Sequence, residues 1–192
     1  MFDPKERSRY LSEMPSIPLG DYSMSADIGQ RAYDLAFNYE KDYGGCAQAV
    51  LASIKDLFGA IPDEVIKAGH SMAGGGAIST KGTCGGLNGG FMVLSFFFGR
   101  PRDGFGKGHF SRSYKLSKML QDRFIVEYGS SLCPDVQTRL MGRSFDLWSK
   151  EDYAKFDDAG AHTDKCTSVA GNVARWTAEL LAAEGIAPLP GN

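Results

Sequence analysis

The sequence has no two cysteines close together. Its four, Cys46, Cys84, Cys133 and Cys166, are separated by 38, 49 and 33 positions. That excludes a thioredoxin-like Cys-x-x-Cys and a zinc-ribbon pair, so a site using all four must be assembled by the fold. Histidine is scarce, with only His70, His109 and His162. Charge of one sign is lacking: 21 basic against 23 acidic residues leave a net charge of −2. No global field therefore favours nucleic acid or an anionic membrane. Long hydrophobic runs are missing too. The most apolar stretch, Phe91 to Phe98, is far short of the ~20 residues a membrane span needs. The opening Met-Phe-Asp-Pro-Lys-Glu-Arg lacks the apolar core of a signal peptide. The expected location is the cytoplasm, where four cysteines more often bind metal or catalyse than form disulfides.

What is present is a helix-forming chain of 192 residues, 43% hydrophobic, long enough for one domain with a real core. Residues 1–25 hold three of the eight prolines and are expected to form an N-terminal arm, docked by Tyr10, Leu11 and Ile17. The domain then covers 26–192. Ile28, Ala32, Leu35, Ala36 and Tyr39 follow helical spacing. A second helix over Cys46 to Phe58 carries the stripe Val50, Leu51, Ile54, Leu57 and Phe58, and Gly59 ends it. A third is predicted over Pro62 to Met72, with Val65, Ile66 and Ala68 inward. A loop over 74–83 leads to a tightly packed helix from Cys84 to Phe98. A long helix over His109 to Glu127 places Tyr114, Leu116, Leu120 and Phe124 inward. Short and long helices follow over Pro134 to Met141 and Asp164 to Ala183. Residues 142–162 show no clear period despite Trp148, Tyr153 and Phe156. No strand set or repeat is visible. The reading is an all-α single domain, a bundle of about six helices with a glycine-rich loop at the cysteines.

Each cysteine stands where a helix begins. Cys46 follows Gly44-Gly45, Cys84 lies in a glycine-dense turn, Cys133 precedes Pro134, and Cys166 follows Thr163-Asp164, both good N-caps. A helix N-terminus offers free N–H groups and partial positive charge, which favour thiolate, the form that binds metals and attacks disulfides. Between Gly74 and Gly90 eight residues are glycine. The segment lacks the Gly-Lys-Ser/Thr ending of a phosphate loop. Its better use is close backbone approach to a cofactor or facing thiol, through Gly82, Gly85 and Gly86. Cys84, with the most exposed backbone donors, is expected to have the lowest thiol pKa and, with Cys46, to be the reactive pair. The bland alternatives are small buried cysteines and helix packing through small residues. His162, four residues before Cys166, could reach the site or lie on the surface, and the same choice holds for His70. His109 sits in a basic strip with Arg100, Arg102, Lys107, Arg112 and Lys115, read as a solvated face. Phe96-Phe97-Phe98 is core, although three adjacent rings cannot share one helix face. One ring is therefore left for a subunit interface in a homo-oligomer.

The pieces Cys46-Ala47-Gln48-Ala49-Val50, Thr83-Cys84-Gly85-Gly86-Leu87-Asn88-Gly89, then Cys133 and Cys166, resemble a known family. It is the redox-active group named for its motif: a cysteine, then Cys-Gly-Ala-x-x-Gly, then two further cysteines. Its relatives include the cluster-binding part of split-Soret cytochrome c. The resemblance covers roughly residues 28–184. Gly86 stands where the motif has alanine, and the stretch 142–160 is longer than is usual there and is placed to cap the site. With no Cys-x-x-Cys-His, the haem part is absent. The resemblance implies a helical fold and redox activity through an iron–sulfur cluster ligated by Cys46, Cys84, Cys133 and Cys166. That reading includes electron exchange with a redox partner protein. Two other classes stand beside it: a cofactor-free thiol–disulfide oxidoreductase with Cys84 attacking, and a zinc-stabilised module that binds a partner.

Overall fold

Glycine, a poor helix former, sits inside the central helix of this fold. The computed structural model describes residues 22–108 and 110–190. It contains eight α-helices: α1 (Tyr22–Tyr43), α2 (Cys46–Phe58), α3 (Asp63–Ala68), α4 (Gly85–Phe98), α5 (Ser111–Tyr128), α6 (Cys133–Met141), α7 (Lys150–Asp158) and α8 (Cys166–Ala183). Each interior glycine costs a helix about 1 kcal/mol by propensity. In α4 close packing offsets that cost. A Cβ at Gly89 would lie 2.7 Å from the carbonyl oxygen of Ala47, and one at Gly90 2.5 Å from Leu120 Cδ2 and 2.9 Å from Val173 Cγ1. The missing side chains let α2, α5 and α8 close on α4 from three sides. α1 lies along α8, and α2 packs against both. Leu51, Ile54, Leu87, Leu94, Leu120, Phe124 and Leu181 fill the core and are almost fully buried. The all-α single domain read from the sequence is the architecture observed.

Among the described residues there is no strand, only an isolated antiparallel bridge between Thr83 and Leu132. Among the described residues the α-helices number eight rather than about six. α1 begins at Tyr22, inside the span assigned to the arm, and residues 1–21 lie outside the described ones, as does His109. The third helix is shorter than expected: α3 ends at Ala68, and a 3-10 segment, His70–Gly75, follows with non-helical backbone at Ala73 and Gly74. Ala68 is exposed, and Val65 and Ile66 are only half-buried. Tyr114 points outward, 76% exposed, whereas Leu116, Leu120 and Phe124 are buried as expected. Phe97 and Phe98 pack against the core while Phe96 stays 40% exposed.

The segment 142–162 holds a helix that its sequence hides. Ser149 caps α7, its hydroxyl accepting from Asp152 N–H at 3.3 Å. Asp152 in turn accepts from Asp146 N–H at 2.6 Å and pairs with Arg143 at 2.6 Å. Phe145, Leu147, Phe156 and Ala161 form a small second apolar cluster, and Cys166 packs against it. No described helix is long and apolar enough to cross a membrane.

Candidate functional site

The four cysteines do begin helices. Cys46, Cys133 and Cys166 are the first residues of α2, α6 and α8, and Cys84 is the N-cap of α4. What brings them together is backbone geometry. Gly44 and Gly45 both hold left-handed φ, 67° and 79°, which turns the end of α1 sharply into α2 and points Cys46 inward. Cys84 N–H donates to the Ser131 carbonyl at 2.8 Å, and Cys133 N–H donates to the Gly82 carbonyl at 2.9 Å. This short bridge sets Cys84 beside Cys133. A π-helical turn, Ala161–Lys165, delivers Cys166. Such turns are uncommon and concentrate at functional sites.

All four cysteines line one cavity of about 190 Å³. Glu40 and Tyr43 from the end of α1 join them, with Gly44, Gly45, Ala73 and Gly74 as backbone wall. Ile78, Val136, Leu147, Phe156 and Val169 supply the apolar lining, and Gln137, Tyr153 and His162 the polar part. The cap segment thus contributes Leu147, Tyr153 and Phe156. Thr80 Oγ1 donates to the Phe145 carbonyl at 2.9 Å, and Trp148 Nε1 donates to the Ala77 carbonyl at 3.0 Å. These bonds tie the cap to the loop 76–80, where Ala77, Ile78 and Thr80 all hold positive φ. Non-glycine residues adopt such backbone rarely, and clusters of them occur at functional sites.

Hydrogen-bond donors point at three of the sulfurs. The N–H groups of Gly74 and Gly86 face Cys46, and those of Gly86 and Leu87 face Cys84. Gln137, itself buried, donates from Nε2 to Cys133 Sγ at 3.5 Å and accepts from Phe145 N–H at 3.0 Å. Gly85 lies directly behind Cys46: a Cβ there would fall 2.5 Å from Cys46 Sγ and 2.7 Å from the Met72 carbonyl oxygen. Gly86 is roomier, its Cβ meeting nothing closer than Ala170 Cα at 3.7 Å. Gly82 packs on the Gly75 carbonyl, 2.6 Å from an added Cβ, and holds Cys133; none of Gly82, Gly85 and Gly86 lines the cavity itself.

The thiols are not acidic. Burial pushes Cys84 and Cys133 up to about 12 and pushes Cys46 and Cys166 well above the ordinary thiol range. Cys46 and Cys166 are half-buried and line the cavity. Negative charge on the neighbouring cysteines, and from Glu40 on Cys46, Cys84 and Cys166, adds to the rise. The expectation that the helix start sets Cys84 below Cys133 is therefore corrected: the two are raised alike. The N–H donors lower the Cys84 pKa, but desolvation outweighs them. All four cysteines are free.

His162 lines the cavity, with Nδ1 2.6 Å from Asp157 Oδ1. His70 does not line it; exposed, it pairs with Gln48 Oε1 at 2.9 Å. Sequence reasoning missed Glu40. The signal was there: Ile28, Ala32, Ala36 and Glu40 recur every four residues on the buried face of α1, and a carboxylate on that stripe is out of place. Among the described residues, no three His, Cys, Asp or Glu side chains are gathered so as to hold a single metal ion.

The family described as "Putative redox-active protein (C_GCAxxG_C_C)" matches residues 45–180, and the chain belongs to it. No curated protein matches, nor does any solved structure.

Proposed function

We propose that this member of the C_GCAxxG_C_C family is an electron-transfer component whose Cys46, Cys84, Cys133 and Cys166 hold an iron–sulfur cluster. The observation that supports this most is the convergence of four sulfurs from four different helix starts on one cavity. The family's description supplies the redox class. The donor set fits: thiolates are the usual cluster ligands, and a cluster, wider than one ion, needs its ligands spread around a cavity. A bound cluster would supply one-electron chemistry. The protein's part is to position, shield and tune. Gly74, Gly86, Leu87 and Gln137 present donors to the sulfurs, which stabilises negative charge there and raises a reduction potential. Leu147, Phe156, Val136 and Val169 keep water back.

Two other classes receive less support. Thiol exchange needs a reachable thiolate, and Cys84, its expected attacker, is buried with its pKa pushed up to about 12. Zinc needs ligands about 2.0–2.3 Å from one point, and the described side chains are not so gathered. The redox partner proposed here is a protein, met at the cavity mouth. The direct test is anaerobic reconstitution with ferrous iron and sulfide. A brown protein that bleaches reversibly with dithionite supports the reading. A colourless protein that retains four titratable thiols rejects it.

A further inference from the structure

Glu40 is 3% exposed, and its Oε2 is buried with no hydrogen-bond partner, thiols included. It lines the same cavity as the four cysteines. A lone buried carboxylate costs several kcal/mol unless it is paired or protonated. The groups around the cavity offer little to pair it. They are Cys46 from α2, Cys84 from the N-cap of α4, Cys133 from α6, Cys166 from α8, Tyr43 and Tyr153, and His162. Of these only His162 can be cationic, and it is already bonded to Asp157. Burial accordingly pushes the Glu40 carboxyl up to about 8. A route outward exists: Tyr43, Gly44, Tyr153 and His162 also line a second, outer pocket with Lys41, Asp42, Asp157 and Thr163.

We propose that Glu40 carries the proton that accompanies electron uptake at this cavity. The assignment rests on reading the cavity as a redox site. One electron arrives from a one-electron donor, a reduced protein partner or dithionite. One proton from water forms an O–H bond on the Glu40 carboxylate. No bond to sulfur is made or broken, the net charge of the cavity is unchanged, and reoxidation returns both particles. A second negative charge in so dry a space would otherwise oppose reduction. Glu40 here is a positioning residue for a proton, not a ligand.

The test is a redox titration of the reconstituted full chain at pH 6 to 10. In wild type the midpoint should fall with rising pH, at up to ~59 mV per pH unit, the one-electron, one-proton limit. Glu40→Gln, nearly isosteric, should give a midpoint independent of pH, while His162→Gln and Tyr153→Phe keep the slope. A flat wild-type profile overturns the proposal. So does a slope that survives Glu40→Gln or is lost in His162→Gln or Tyr153→Phe. If Glu40→Gln does not fold, the wild-type, His162→Gln and Tyr153→Phe profiles still decide, and Glu40→Asp should retain a slope over a displaced pH range. A wild-type protein with no reducible centre removes the redox reading itself and this proposal with it. A pH-independent centre removes only the role of Glu40.

Discussion

Cys84 and Cys133 stand side by side because their backbones are laced together: each N–H donates to the carbonyl two residues before the other cysteine. The Cys84 N–H takes the Ser131 carbonyl at 2.8 Å, and the Cys133 N–H takes the Gly82 carbonyl at 2.9 Å. Two residues 49 positions apart thereby become one preformed half of the site. The other half comes from turns that only glycine and a π-helical segment permit, at Gly44-Gly45 and Ala161–Lys165.

Gly85 and Gly86 should respond differently to the same methyl group. Gly85→Ala drives a Cβ into Cys46 Sγ and into the backbone of Met72 and Ala73. Overpacking of this kind costs about 1–3 kcal/mol, so melting should fall by several degrees and cluster loading should drop. Gly86→Ala finds ordinary contact with Ala170 and should melt and load like wild type. Equal behaviour of the two variants would count against the close-approach argument.

The metal-free protein should weaken as the solution becomes alkaline. The thiols bind their protons more tightly folded than unfolded, Cys84 and Cys133 up to about 12. Their contribution to stability is complete below the ordinary thiol range and is lost as pH climbs from there toward the raised values. Urea midpoints of metal-free protein should therefore decline between pH 8 and pH 10. Alkylation of all four thiols at pH 8 should be slow in native protein and fast in urea. Rapid native labelling of Cys84 alone would restore the idea that its helix start governs it.

Gln137 links the site to its cap. Gln137→Leu removes the donor to Cys133 Sγ and leaves the buried Phe145 N–H without its acceptor. An unsatisfied buried donor costs about 1–3 kcal/mol. Hydrogen exchange should rise over 144–158 more than in the α1–α8 core, and any bound centre should bleach faster in air. Unchanged exchange in the cap would show that Arg143–Asp152 and the Ser149 cap hold it alone.

Much of this was legible in the residues. The stripes on α1, α2 and α5 have the helical period, and the helix starts at Cys46 and Cys133 follow from Gly45 and Pro134, whereas Thr163 and Asp164, read as caps before Cys166, lie inside the π-helical turn and cap nothing. The cap was not legible. Its helix is short, and Phe145, Leu147 and Phe156 pack on the site and on each other, not along a helical stripe. Tyr114 was misplaced because its spacing fits the stripe while α5 is covered on one face only. The thiol acidity failed for a different reason. A helix start is a local feature visible in sequence, whereas burial depends on which helices meet, and burial dominates here.

The count of iron and acid-labile sulfide per chain, on anaerobically prepared wild type and on each of the four Cys→Ser variants, tests the central claim most directly. The account predicts iron and sulfide together in wild type and a marked loss of both in Cys46→Ser, Cys84→Ser, Cys133→Ser and Cys166→Ser, each still folded by circular dichroism. Wild type without labile sulfide, or a full complement retained after any one of these substitutions, would contradict it.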